Sequence, residues 1–301
     1  MNTKKLFIFV FVLQITLFTF NGFCAGPGTT GARVLNQGIG VRPLGMGEAY
    51  TAVADDINAI YFNPAGLTLL NKREIGVLYM SDVTDAFYSS VGFVQPFEKI
   101  GVLGISFILY SGGIIEINNL DGTSADKRAQ DDYVVTISYA RNVIKNLSAG
   151  ANIKVLRSTL VEQYTAYSYA ADIGVLYNLG NLNMGISVQN IGTPIIYKEK
   201  PDPLPLKIKV GAAYKMKVDG DNSLTMAFDV NKPYDNIFQE NIGVEYWFKN
   251  IFAVRSGYKF GYDSSSFTLG GGFVWKFMQI DFTWGLRGDL GNTLQCSLII
   301  R

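Results

Sequence analysis

The feature that most limits the fold is a two-residue hydrophobic alternation that recurs from residue 73 onward. Leu206, Ile208, Val210, Ala212, Tyr214 and Met216 fall on one face of an extended segment. Lys207, Lys209, Gly211, Ala213, Lys215 and Lys217 fall on the other. Successive side chains of a strand point to opposite sides, so period two over this length specifies a strand with two chemically different faces. The same phase returns in Phe252, Val254, Tyr258 and Phe260 against Arg255, Gly257 and Lys259. It returns again in Ile280, Phe282, Trp284 and Leu286 against Gln279, Asp281, Thr283, Gly285 and Arg287.

Runs of this kind place strands near 73–82, 86–95, 99–110, 131–141, 145–157, 164–177 and 181–190. Seven more lie near 205–216, 221–231, 238–248, 251–260, 266–276, 278–287 and 291–301. Most have the roughly 9–11 residues that cross a bilayer at a tilt. Their connections alternate in length. Pro96–Phe97–Glu98, Asn178–Leu179–Gly180, Val218–Asp219–Gly220 and Lys249–Asn250 are tight turns, whereas Ser111 to Gln130 and Ile191 to Leu204 are long. Short periplasmic turns and long outer loops are the habit of bacterial barrels. Tyr214, Tyr246, Phe248, Phe252, Tyr258, Phe260, Phe273 and Trp275 cluster near strand ends, as interfacial girdles require. A secreted β-sandwich also alternates, but long strands with alternating short and long connections fit it poorly. The expectation is an all-β transmembrane antiparallel barrel of about 14 strands, residues 73–301, set in outer-membrane lipid of a diderm bacterium.

Ahead of it, Lys4 and Lys5 followed by apolar Leu6 to Phe20 read as a secretory signal over residues 1–25, with cleavage after Cys24, Ala25 or Gly26. A lipoprotein reading of Cys24 meets the bulky Phe23 before it, and an uncleaved anchor helix is the other alternative. Cys296 is then the remaining cysteine, which leaves no intrachain disulfide. The sequence has no histidine, so Ser–His or Cys–His catalysis and histidine-ligated metals are excluded. No carboxylate pair stands out, and the expectation is no enzyme, cofactor or metal. A net charge of +1 gives no argument for nucleic acid, and no such partner is expected.

Residues 26–72 do not alternate. They hold Gly45-Met46-Gly47-Glu48-Ala49-Tyr50-Thr51-Ala52-Val53-Ala54-Asp55-Asp56 and then Asn63-Pro64-Ala65-Gly66-Leu67. The Gly-x-Gly pairs lack the preceding strand and following lysine of a phosphate loop. Asn63 before Pro64 reads as an N-cap with proline at the first helical position. Together these two blocks resemble the N-terminal signature of the PorV/PorQ family, within the wider group of FadL-type outer-membrane transporters. The resemblance spans residues 31–301 and implies that residues 31–72 form a hatch filling the barrel from the periplasmic side. It implies either passage of long-chain fatty acids or other hydrophobic small molecules, or, in the PorV branch, type IX secretion with cargo and other secretion-system proteins as partners.

Asp55 and Asp56 are candidates for anchoring such a hatch. The alternation lines the lumen with Lys154, Lys207, Lys209, Lys215, Arg255, Lys259, Lys276 and Arg287 against Asp172, Asp229, Glu245 and Asp281. That set is read either as an internal ion network or as recognition of an anionic head group. The first three strands break the two-faced rule. Leu78, Met80, Ile108 and Tyr110 put apolar side chains inward, either as a greasy pocket or as packing for the hatch. On this topology, protease added to intact cells cuts around Asp121–Arg128 and Lys198–Lys200 and spares Lys249–Asn250. The folded barrel runs as a heat-modifiable band on gels. Cleavage confined to Lys249–Asn250 would invert the orientation.

Overall fold

The computed structural model describes residues 26–82, 85–118, 122–262, 267–286 and 292–301. The signal assigned to residues 1–25 lies outside the described residues, as does the candidate lumen charge Arg287. The strands are β1 (Glu74–Ser81), β2 (Phe87–Phe97), β3 (Gly101–Ser111), β4 (Ile114–Asn118), β5 (Ser124–Arg128), β6 (Gln130–Ile144), β7 (Leu147–Leu160), β8 (Tyr164–Leu179) and β9 (Leu182–Gly192). They continue as β10 (Ile195–Ile196), β11 (Pro201–Asp202), β12 (Lys207–Asp219), β13 (Asn222–Pro233), β14 (Gln239–Phe248), β15 (Phe252–Phe260), β16 (Phe267–Trp275), β17 (Met278–Leu286) and β18 (Asn292–Ile300).

Fourteen of these pair antiparallel with their neighbours into one closed barrel, and each of the fourteen segments expected from alternation is one of its strands. The seam runs between β1 and β18, from Ile75 opposite Ile300 to Met80 opposite Gln295. Closure leaves no unpaired edge, which backbone amides in lipid require. The two long connections are not simple loops. β4 pairs with β5 in one and β10 with β11 in the other. The interrupted patterns of these short strands give no sustained period two, so alternation alone passes over them.

Exposure is inverted relative to a water-soluble protein. On β7, Ile153 is 65% exposed while Asn152 and Lys154 on either side are buried. The same inversion on β1 leaves Val77 and Tyr79 outside and Leu78 inside. An apolar outer belt around a polar interior suits lipid outside and excludes the sandwich. Phe248, Phe252, Phe273 and Trp275 sit exposed at the short-turn end, with the Phe252 and Phe273 rings stacked 5.1 Å apart.

The buried face of the ring is turned toward residues 31–72. This segment carries short helical turns at Arg33–Leu35, Val41–Gly45, Ala59–Phe62 and Pro64–Leu69. It touches opposite sides of the ring. Ile57 lies over β1 and β2, Pro64 over β7 and β8, and Met46 and Gly47 over β14 and β15. Such contact brings main chain onto main chain, which only inward glycines permit. A Cβ on Gly257 would collide with the Gly47 amide and the Met46 carbonyl carbon, and one on Gly185 would collide with the Thr51 carbonyl. Outward Gly271 meets nothing closer than 3.9 Å. Gly257→Ala is therefore expected to lower the temperature at which the folded band disappears on gels, and Gly271→Ala to leave it unchanged. Equal shifts in the two variants would contradict this packing.

Candidate functional site

Arg42 organises the short-turn end of the interior. The tight turn at Gly40 and the single helical turn that follows aim its guanidinium at the wall, where its Nε and Nη2 donate to both Glu245 oxygens at 2.7 and 2.8 Å. Its Nη1 donates to Asp55 at 2.6 Å and to Asp56 at 3.0 Å. Glu245 also accepts from Arg255 at 2.6 Å, and Arg255 donates to Asp281 at 2.7 Å. Asp281 accepts from the Gln279 side-chain amide at 2.8 Å, and Arg301 donates to Gln279 Oε1 at 2.8 Å. Arg301 then donates to Glu74 at 2.6 Å, and the other Glu74 oxygen accepts the Ile57 amide at 2.8 Å. The circuit leaves the segment at Arg42 and returns to it at Ile57. Buried charges are tolerated only when paired in this way, and removing one partner costs about 3–5 kcal/mol.

The two aspartates read as anchors therefore meet Arg42 of their own segment first, and Lys215 reaches Asp55 at 3.3 Å from an exposed position that contributes little. Asp55 is nevertheless held below the usual carboxylate range. Burial acts against this, but Arg42 and Lys215 outweigh it. Of the other expected lumen charges, Arg255 lies in the circuit and Lys259 bonds Glu48 at 2.6 Å. Lys154 pairs with Asp172 at 2.8 Å, and Lys209 lies 4.5 Å from the Phe62 ring. Lys207 makes a long 3.4 Å contact to the Asn36 carbonyl. Lys276 is not a lumen residue: it sits exposed in the turn after β16, beside Trp275, because the strand ends one residue before it.

Polar wall side chains hold the main chain of the segment, as buried amides and carbonyls demand. Asn152 donates to the Ile60 carbonyl at 2.8 Å, and Gln189 donates to those of Tyr61 and Phe62 at 2.9 and 3.0 Å. Asp229 accepts the Tyr50 and Thr51 amides at 2.9 and 2.8 Å. Asn63 caps the Pro64 turn by accepting the Ala65 amide at 3.2 Å, and it also donates to the carbonyls of Thr51 and Val175. Gly45 abuts Thr283 and Gly270, and Gly66 lies against Ala54, where a side chain would not fit.

Leu78, Met80, Ile108 and Tyr110 are all buried in one apolar cluster with Val34, Ile39, Val41 and Leu44 of the segment. Of the two readings of these residues, packing against the segment is the one these contacts match. Sequence reasoning missed Arg42 and Glu48. Their signal was a charge within a glycine-rich apolar segment, opposite wall residues of the other sign. Among the described residues no group of three or more acidic or cysteine side chains gathers as metal ligands would.

Burial opposes ionisation of Glu48, but Lys259, with Lys207 and Lys209 farther off, outweighs it and holds the carboxyl at about 2. A carboxyl depressed on folding stabilises the packed state above its ordinary value of 4.5 and loses that contribution as pH falls toward about 2. Hydrogen exchange, corrected for intrinsic rates, is expected to speed up in residues 31–72 over that window. In Glu48→Gln it should be faster already at neutral pH and change less with acid. Unchanged protection in the wild type down to pH 2 would refute the assignment.

A closed barrel with an apolar outer belt places the protein in a bacterial outer membrane. The fold is that of several solved barrels. The Pseudomonas putida toluene transporter TodX superposes with a TM-score of 0.61 at 13% identity, over 88% of this chain and 97% of TodX. The CymD monoaromatic hydrocarbon channel gives 0.60 at 12% identity, over 87% of this chain and 96% of CymD. A Pseudomonas aeruginosa FadL homologue gives 0.51 at 10% identity, over 86% and 97%. At such identities the likeness is one of fold. No curated protein sequence matches the chain. The model of the family described as type IX secretion system protein PorV matches residues 28–236, more than two thirds of the sequence, and the chain belongs to that family.

Proposed function

We propose that the protein binds or passes hydrophobic molecules across the outer membrane, with residues 31–72 as a hatch. The observation that carries this reading is the apolar strip on the inner wall of β1–β3, covered by Val34, Ile39, Val41 and Leu44. Withdrawing those residues bares a continuous greasy surface, on which an apolar ligand replaces the buried contacts. The rest of the segment is held by the Arg42 ion pairs and by a second apolar cluster around Tyr50, Ile60 and Phe62, which keep it anchored while those residues withdraw. The toluene transporter and the hydrocarbon channel with the same fold add support. No catalytic step is part of this reading.

The PorV family match favours a second reading, in which the barrel serves type IX secretion and engages proteins through its long loops. The β4–β5 hairpin suits such contact, since Ile114 is 67% exposed. The two readings separate on substitution. Leu78→Lys or Ile108→Lys puts an ammonium among apolar side chains, where it must lose its proton or recruit water. In correctly folded protein either change is expected to abolish uptake of apolar compounds such as toluene, whereas deleting β4–β5 leaves uptake intact. Normal uptake in the folded lysine variants, with secretion lost on hairpin deletion, would establish the second reading against the first.

A further inference from the structure

The long-loop end of the interior differs chemically from both the apolar strip and the Arg42 circuit. A cavity of about 340 Å³ lies there, lined by polar side chains that include Asn36 and Gln239. Arg33, Lys207 and Lys259 line it, and among the described residues Glu48 is the carboxylate on its wall. That carboxylate is engaged by Lys259 at 2.6 Å. A smaller void of about 30 Å³, room for roughly one water, shares Asn36, Glu48 and Lys207 with the cavity and reaches Lys209 behind it.

Lys209 is the telling residue. It is 3% exposed, and among the described residues no carboxylate lies within 4.0 Å of its ammonium. Asp229, on the adjoining strand, gives Oδ2 to the Tyr50 and Thr51 amides, while its buried Oδ1 has no hydrogen-bond partner. The face of the Phe62 ring offers partial compensation at 4.5 Å. The carboxylates nearest Lys209, those of Asp229 and Glu48, act on it from beyond direct ion-pair distance. A buried cation paired this loosely is costly, and three further basic groups gather in front of it. We propose that this cavity binds a small oxyanion, a phosphate or carboxylate group, through Lys207 and Arg33 with Lys209 behind. Its volume and polar lining suit a compact anion rather than a long apolar chain, so the site takes a different ligand class from the strip on β1–β3. It stands whichever function above holds.

The test is calorimetric titration of the folded barrel, in a nonionic detergent at low ionic strength, with inorganic phosphate and separately with acetate. Saturable binding is expected, weakened by added sodium chloride. Lys207→Gln and Lys209→Met should each weaken it about tenfold, as loss of one charge-assisted contact does. Lys217→Gln, on the same strand at the opposite end, should not. Heat-modifiable migration checks that each variant folds, and Lys207→Gln, at a half-exposed position, keeps the test decisive if Lys209→Met does not. Competition by dispersed phosphatidic acid would assign the phosphate to a lipid head group, and failure to compete would assign it to the free ion. Absence of saturable binding by both anions, or unchanged binding in folded Lys207→Gln, would overturn the proposal.

Discussion

The interior depends on a group that water would normally claim, the guanidinium of Arg42. It sits on a segment with little regular structure and is buried against Glu245, Asp55 and Asp56. Carboxylates in such a place cannot stay ionised without a cation, and the cation cannot stay without them. The neighbours extend the requirement outward, since Glu245 is shared with Arg255 and Arg255 with Asp281. Arg42 is what turns an apolar, glycine-rich stretch of chain into a fixed part of the barrel wall.

Much of the barrel is legible in the sequence because its physics is local. A strand between lipid and a polar interior must alternate, so Ile153 and Val155 declare one face while Asn152 and Lys154 declare the other. The short strands β10 and β11 carry no such statement, and their pairing comes from neighbouring structure. Inside, legibility falls further. Asn63 announces its cap because Pro64 follows it, a contact of adjacent residues. Arg42 and Glu245 are 203 residues apart, and nothing in either neighbourhood names the other. The inward glycines were visible as composition, but their purpose appears only when Gly47 is found lying across Gly257. Leu78, Met80, Ile108 and Tyr110 broke the alternation for a reason that became plain once Val34 and Leu44 were seen against them.

Three chemically distinct zones share one interior. Ion pairs hold the short-turn end, apolar contacts hold the β1–β3 wall, and a basic cavity opens toward the long loops. The chain belongs to the PorV family and shares its fold with a toluene transporter and a hydrocarbon channel. The wall supplies two kinds of surface. Its long-loop end carries the β4–β5 and β10–β11 hairpins, and its interior keeps an apolar strip packed under Val34, Ile39, Val41 and Leu44.

The bond between Glu74 and Arg301 has a consequence for the order of assembly. These residues flank the seam and are 227 positions apart, so they meet only when the last strand has zipped onto the first. Glu74 also holds the Ile57 amide, and Arg301 leads through Gln279 and Asp281 to Arg255. A nascent barrel with its seam still open leaves Glu74 with the Ile57 amide alone, and the polar circuit is completed only when the ring closes.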